Sequence, residues 1–101
     1  MAIKAIIIDD ERLASIEKIE TLNPDLIFLD IQMPGKTGFD LLSEVEKAPK
    51  VIFTTAYDEY AIKAFEVNAL DYLLKPIEPK RLSDAIQKLQ AEIFKESIGI
   101  N

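Results

Sequence analysis

Ten consecutive residues, Leu26-Ile27-Phe28-Leu29-Asp30-Ile31-Gln32-Met33-Pro34-Gly35, constrain this chain more than any others. Four apolar residues in a row read as a strand buried on both faces, and such strands belong to parallel sheets covered by helices. The run stops on a carboxylate, and Pro34-Gly35 then forces a turn. A carboxylate at the carboxyl end of a buried strand stands where open α/β sheets bind ligands. An Asp in that place also serves simply to cap a turn. Asp30 therefore gains meaning only from what stands at the other strand ends.

The rest of the chain supplies three more strands. Ile3 to Ile8 is apolar except for Lys4 and runs into Asp9-Asp10-Glu11. Leu13, Ile16, Ile19 and Leu22 recur at helical spacing and predict a helix from about Glu11 to Leu22, stopped by Asn23-Pro24-Asp25. Gly38 opens a second helix, with Phe39, Leu42 and Val45 on one face, ending near Ala48-Pro49. Val51 to Thr55 reads as a third strand. A helix from about Asp58 to Val67 follows, with Ala61, Ala64 and Phe65 turned inward. Leu70 to Leu74 is a fourth strand ending on Lys75-Pro76. Pro79 suits a first helical turn, and Leu82, Ile86, Leu89 and Ile93 form the stripe of a last helix. Residues 1–96 read as one domain and 97–101 as a frayed tail. The order βαβαβαβα predicts an α/β fold with a parallel sheet and right-handed crossovers.

Composition narrows the chemistry. Among 101 residues there is no cysteine and no histidine. Disulfides, thiolate zinc sites and Ser-His-Asp or Cys-His catalysis are thereby excluded. Any metal must be held by oxygen, which favours Mg²⁺, Mn²⁺ or Ca²⁺. The net charge of −6, with no basic run, argues against direct nucleic-acid binding. No signal-peptide pattern or membrane-length apolar run is present, and a cysteine-free chain suits a reducing compartment such as the cytoplasm.

In a parallel sheet Asp9-Asp10, Asp30, Thr55 and Lys75 gather at one edge. Each alone has an ordinary reading: a helix cap, a turn residue, a turn hydroxyl, an exposed lysine. Together they are the equipment for transferring a phosphoryl group to a carboxylate. Three converging carboxylates need a cation before all can ionise, and Mg²⁺ suits oxygen donors. Thr55 could donate to a phosphoryl oxygen and Lys75 could pair with another. Asp30 would be the nucleophile.

Ile6-Ile7-Ile8-Asp9-Asp10-Glu11, Leu29-Asp30-Ile31-Gln32-Met33-Pro34-Gly35, Thr54-Thr55-Ala56 and Asp71-Tyr72-Leu73-Leu74-Lys75-Pro76 resemble the receiver (CheY-like) domain of two-component response regulators. The stretches Tyr57–Ala61 and Asn68–Tyr72 are similar to receivers that carry a LytTR-type output domain. The resemblance implies a flavodoxin-like fold, a sensor histidine kinase as phosphodonor, and Asp30 as phospho-acceptor. It implies Mg²⁺ (or Mn²⁺) held by Asp9, Asp10, Asp30 and the backbone carbonyl of Gln32. It implies phosphate contacts from Thr55, the Ala56 backbone and Lys75, with Thr55 and Tyr72 as the switch pair. By spacing alone, Tyr72 is equally a sheet aromatic with its hydroxyl at the rim.

The chain departs from the family in one place. A receiver has five strands in the order 2-1-3-4-5. Here Asp10 and Asp30 are separated by a single helix, and about two dozen residues, one βα unit, are missing. Four strands should then lie in chain order, with the first helix on the same face as the next two. The last helix would stand nearly alone on the other face, and the first strand would become an edge. The exposed apolar surface predicts self-association as a homodimer, by back-to-back packing or element exchange. The functional alternative to a phospho-acceptor is an oligomeric scaffold, natural or engineered, that keeps the motif without a working switch. A true phosphohydrolase is a third reading, weakened by Gln32 standing where a second acid would be needed.

Overall fold

Leu26, Ile27 and Leu29 are buried because the strand they form is covered on both faces. A computed structural model describes residues 3–8, 12–33, 36–45 and 49–99. In chain order the elements are β1 (Ala5–Ile8), α1 (Arg12–Leu22), β2 (Leu26–Asp30), β3 (Gln32–Met33), β4 (Lys36–Thr37), α2 (Gly38–Ser43), β5 (Lys50–Thr55), α3 (Ala61–Glu66), β6 (Asp71–Leu74) and α4 (Pro79–Ser97). A 3₁₀ turn over Asp58–Tyr60 leads into α3. The main sheet is parallel throughout, in the order β1-β2-β5-β6, which is the expected chain order. The small antiparallel β3–β4 hairpin was not expected from the sequence.

Alternation along the strands divides the core in two. Ile8, Ile27, Leu29, Val51 and Phe53 face α1, α2 and α3, joined by Ile16 and Ile19 of α1 and by Leu41 and Ala64. Leu26, Ile52 and Leu73 face α4, where Ala85 and Leu89 are buried and Ile86 and Ile93 pack beside them. The first helix therefore shares a face with the next two, and among the described residues α4 is the helix on the other, as the shortened order requires. Phe39 and Phe53 anchor the three-helix side, with ring centroids 4.7 Å apart.

Several inward assignments need correction. Phe65 is 82% exposed, and Ala61 is exposed as well. The 3₁₀ turn advances three residues per turn rather than 3.6, so a helical phase counted from Asp58 is wrong by the time α3 begins. Ala64, which is buried, keeps its expected place. Leu22 is exposed at the end of α1, where its carbonyl accepts a hydrogen bond from Lys4 Nζ (2.8 Å) and Asn23 turns the chain at φ 47°. The second helix ends at Ser43, well before Ala48; Gly38 and Leu41 are buried in it, and the expected Phe39, Leu42 and Val45 do pack on the same core. Leu82 is partly exposed rather than buried. The side chain of Leu13 and the structure of residues 46–48 lie outside the described residues.

The bond between α4 and the edge strand β6 is polar. Asp71 has a side chain only 7% exposed, and its Oδ1 accepts from Arg81 Nη2 (3.2 Å) and from the Tyr72 N–H (2.8 Å). Lys88 Nζ stands 3.2 Å from Oδ2 as an ion partner, without hydrogen-bond geometry. Burial would raise the Asp71 pKa, but the Tyr72 N–H, Arg81 and Lys88 together outweigh it and hold the carboxyl below its ordinary value. A lowered carboxylate pKa adds stability that is fully present above the unfolded-state value of about 3.8 and is lost as pH falls below it and through the lowered native-state value. Asp71→Asn should therefore cost about 1–2 kcal/mol at neutral pH, less than for a fully buried pair because both cations are half exposed. Urea unfolding of the two proteins should show this gap closing as pH falls below the ordinary carboxylate range.

Candidate functional site

Parallel pairing decides which residues meet. β1 ends at Ile8, in register with Leu29. Asp30 pairs with Thr54, and Thr55 with Leu74. All four strands of the main sheet thus finish at one rim, with Ile8, Asp30, Thr55 and Leu74 as their last residues.

Backbone hydrogen bonds continue past the strand ends and fix this rim. The Ile31 N–H donates to the Thr54 carbonyl (3.0 Å), and the Lys75 N–H donates to the Thr55 carbonyl (2.7 Å). Asp30 and Lys75, 45 residues apart in sequence, are thereby brought to the same place. Lys75 Nζ lies 2.8 Å from Asp30 Oδ2, a charge-assisted hydrogen bond. The Asp30 side chain is 16% exposed, so the pair is shielded and yet reachable from solvent.

Thr55 is buried and holds the loop that follows it. Its Oγ1 accepts from the Tyr57 N–H at 3.2 Å. The Tyr72 hydroxyl donates to the Tyr57 carbonyl. The main chain of Tyr57 is thus gripped from both sides by the two residues expected to act as a switch. The Tyr72 ring packs against the three-helix core. Its pKa is raised, first by burial and then by the negative charges of Asp58 and Glu59, so it stays a neutral donor at physiological pH. Ala56 follows Thr55 and is exposed.

Asp9 and Asp10 lie outside the described residues, so their place relative to Asp30 is not part of this geometry. Of the expected metal donors, Asp30 and the main chain of Gln32 are described. They follow one another directly, at the end of β2 and the start of β3. Both offer oxygen, the donor type that suits a hard divalent cation.

Sequence reading passed over the positioning role of Gly38. Its N–H donates to the Ile31 carbonyl (2.6 Å), and a Cβ there would stand 2.5 Å from the Asp30 carbonyl oxygen. The start of α2 therefore lies directly on the backbone that carries Asp30. Thr37 caps this helix and forms a capping box with Asp40, whose N–H donates to Thr37 Oγ1 at 3.2 Å. A Gly immediately after a capping Thr was the available signal. Propensity alone would make Gly38→Ala stabilising, because Ala is the better helix former by about 1 kcal/mol. The contact with Asp30 reverses the sign. Gly38→Ala should lower stability by about 1–3 kcal/mol, measurable as a fall in the urea midpoint at unchanged slope.

With this geometry in place, comparison with known proteins gives a consistent answer. The family profile described as the response regulator receiver domain matches residues 8–87. An uncharacterised response regulatory protein of Vibrio parahaemolyticus is 51% identical over 85 residues, covering 82% of this chain and 35% of that protein. The transcriptional regulatory protein BtsR of Salmonella typhi is 47% identical over 88 residues, covering 85% of this chain and 37% of its own length. The sensory transduction protein LytT of Enterococcus faecalis is 46% identical over 82 residues, covering 78% and 34%. The chain spans about a third of the length of these curated relatives. Among solved structures, the REC domain of AraT, a response regulator from Geobacillus stearothermophilus, superposes with a TM-score of 0.82 at 26% identity. That superposition covers 96% of this chain and 99% of the other.

Proposed function

This chain belongs to the response regulator receiver domain family, and on that footing we propose that Asp30 accepts a phosphoryl group from a sensor histidine kinase. The observation that carries this reading is the Lys75–Asp30 contact at 2.8 Å, made across the sheet rim. In the transfer, the P–N bond of the donor phosphohistidine breaks and a P–O bond forms to an Asp30 carboxylate oxygen. The imidazole leaves with the bonding pair and takes up a proton. Asp30 enters as an anion, so no base has to deprotonate it, which suits a chain without histidine. Lys75, already at hydrogen-bond distance, is placed to exchange the carboxylate for a phosphoryl oxygen and to offset the charge gained. Thr55 and the Ala56 N–H would contact the other phosphoryl oxygens.

Asp9, Asp10, Asp30 and the Gln32 carbonyl would hold Mg²⁺ (or Mn²⁺), which when bound would offset the charge between the carboxylates and the incoming phosphoryl group. We read the Thr55–Tyr57–Tyr72 linkage as the reporting device. A rotation of Thr55 toward a phosphoryl oxygen would release the Tyr57 N–H and loosen the loop to which the Tyr72 hydroxyl is bonded. The domain acts as an acceptor and not as a turnover enzyme beyond its own slow autophosphorylation and autodephosphorylation. No helix among the described residues is long and apolar enough to cross a membrane. A cytoplasmic setting and a LytTR-type output domain in a longer regulator complete the proposal.

Incubation with Mg²⁺ and acetyl phosphate should add one phosphoryl group, located by mass spectrometry at Asp30 and absent from Asp30→Asn. Lys75→Ala should slow the modification by roughly 10²-fold. An unmodified Asp30 in a folded, Mg²⁺-supplied chain would overturn the reading and leave an oligomeric scaffold as the better description.

A further inference from the structure

The main chain of Tyr72 is held on both sides of its Cα. Its N–H donates to Asp71 Oδ1 (2.8 Å), and its carbonyl accepts from Arg81 Nη2 (3.0 Å). The same Arg81 nitrogen donates to Asp71 Oδ1 (3.2 Å), so a single ion pair touches both peptide groups of the tyrosine. Hydrogen bonds to charged groups are the stronger and better directed ones. At the far end of the side chain the Tyr72 hydroxyl donates to the Tyr57 carbonyl. β6 stands at the edge of the main sheet, and its one neighbour among the described strands is β5. Its outer side takes its position from groups beyond the sheet, and Arg81 brings such a group from α4.

Arg81 also holds the start of α4. The helix begins at Pro79, and the first of its buried residues is Ala85. Leu82 is 38% exposed. Toward β1 it lines an apolar groove of about 270 Å³ with Ile7, Phe28 and Ile77, closed at one end by Thr54 and Lys75. The first turn is therefore unpacked on that side, and the polar side chain by which it reaches the sheet is that of Arg81. Lys88, two turns on, stands 3.2 Å from Asp71 Oδ2 without hydrogen-bond geometry. It shares the ionic attraction to Asp71, whereas Arg81 alone of the two hydrogen-bonds the Tyr72 carbonyl.

We propose that Arg81 is a positioning residue for the Thr55–Tyr57–Tyr72 linkage. By tying Asp71 to the Tyr72 carbonyl it fixes the backbone from which the Tyr72 hydroxyl reaches Tyr57, and it couples the first turn of α4 to that hydroxyl. A ring that leaves Tyr57 shifts the backbone that Arg81 grips, and the start of α4 is the element with room to follow. The link to phosphorylation rests on Asp30 as the acceptor. The hold on Tyr72 does not.

The chain has three tyrosines and no tryptophan, so Tyr57→Phe/Tyr60→Phe leaves Tyr72 as the one phenol and keeps the Tyr57 carbonyl. In that background the tyrosine band of the near-ultraviolet circular dichroism spectrum reports how firmly the Tyr72 ring is held. Arg81→Gln should lose more than half of this band while the far-ultraviolet spectrum is unchanged, because the Arg81 side chain is 44% exposed and lies outside both cores. Lys88→Gln should keep the band. Asp71→Asn, which lowers stability but retains an acceptor oxygen, should keep most of it. Sucrose, which favours the compact state, holds all three variants folded for the comparison. Acetyl phosphate should alter the band in the parent and leave it unaltered in Arg81→Gln, with Asp30 modified at the same rate in both. A band retained in Arg81→Gln, one lost equally in Lys88→Gln, or one that simply follows stability across the three variants would overturn the proposal. An Asp30 that stays unmodified would remove the phospho-acceptor reading, while the band before treatment still decides the role of Arg81.

Discussion

The direction in which the chain steps across its sheet governs the rest of the molecule. β1, β2, β5 and β6 lie in chain order, so all three crossovers move the same way. Right-handed crossovers that all step in one direction place every connecting helix on one face. That is why α1, α2 and α3 share the core built around Phe53 and Leu29. A doubly wound sheet covers its second face by reversing direction once, and this chain makes no reversal. Only the helix after the last strand is free to cross to the other side. The division into a crowded face and a half-bare one is thus a consequence of topology, with side-chain preference playing no part.

The rim where the strands end is insensitive to that imbalance. Parallel pairing alone aligns Leu29 with Ile8, Asp30 with Thr54 and Thr55 with Leu74. The bonds from Ile31 to Thr54 and from Lys75 to Thr55 extend the ladder into the loops. A long, flexible lysine side chain is then held within 2.8 Å of a carboxylate supplied by another strand. Apart from the Ile8–Leu29 pairing, each of these links belongs to β2, β5, β6 or the loops that follow them, and none belongs to the altered crossover between β1 and β2. Asp30 and Lys75 can therefore keep their geometry while the first crossover changes length.

Much of this was legible in the residues. Two-sided burial shows as an unbroken apolar run in Leu26–Leu29 and Val51–Phe53, and the residues that end those runs name the rim. What stayed hidden depends on phase and on partners distant in sequence. Phe65 looked like a core residue because helical counting began at Asp58, where the chain takes a 3₁₀ turn. Asp71 gave no sign of being a buried ionic anchor, because its two cations come from the first and third turns of a helix that starts eight residues later. Gly38 read as a helix start. Its use as the point where α2 touches the Asp30 backbone is visible only when both are placed. Asp9 and Asp10, the clearest motif residues near the N-terminus, lie outside the described residues, so the geometry neither adds to nor subtracts from their reading.

Losing one βα unit from a receiver fold therefore acts on its two faces unequally. The unit that is absent would have supplied both an edge strand and the reversal that brings a helix to the α4 side. Without it β1 becomes the edge, and Ile7, a residue suited to a central strand, is left in water. Nothing in β1 blunts that edge: Ala5 to Ile8 carries no charge and no proline. A surface of this kind is resolved most simply by cover from outside, and the groove beside Ile7 ends at Lys75. The residue that pairs with Asp30 thus also stands at the lip of the uncovered face, so whatever occupies that groove lies next to the Lys75–Asp30 pair.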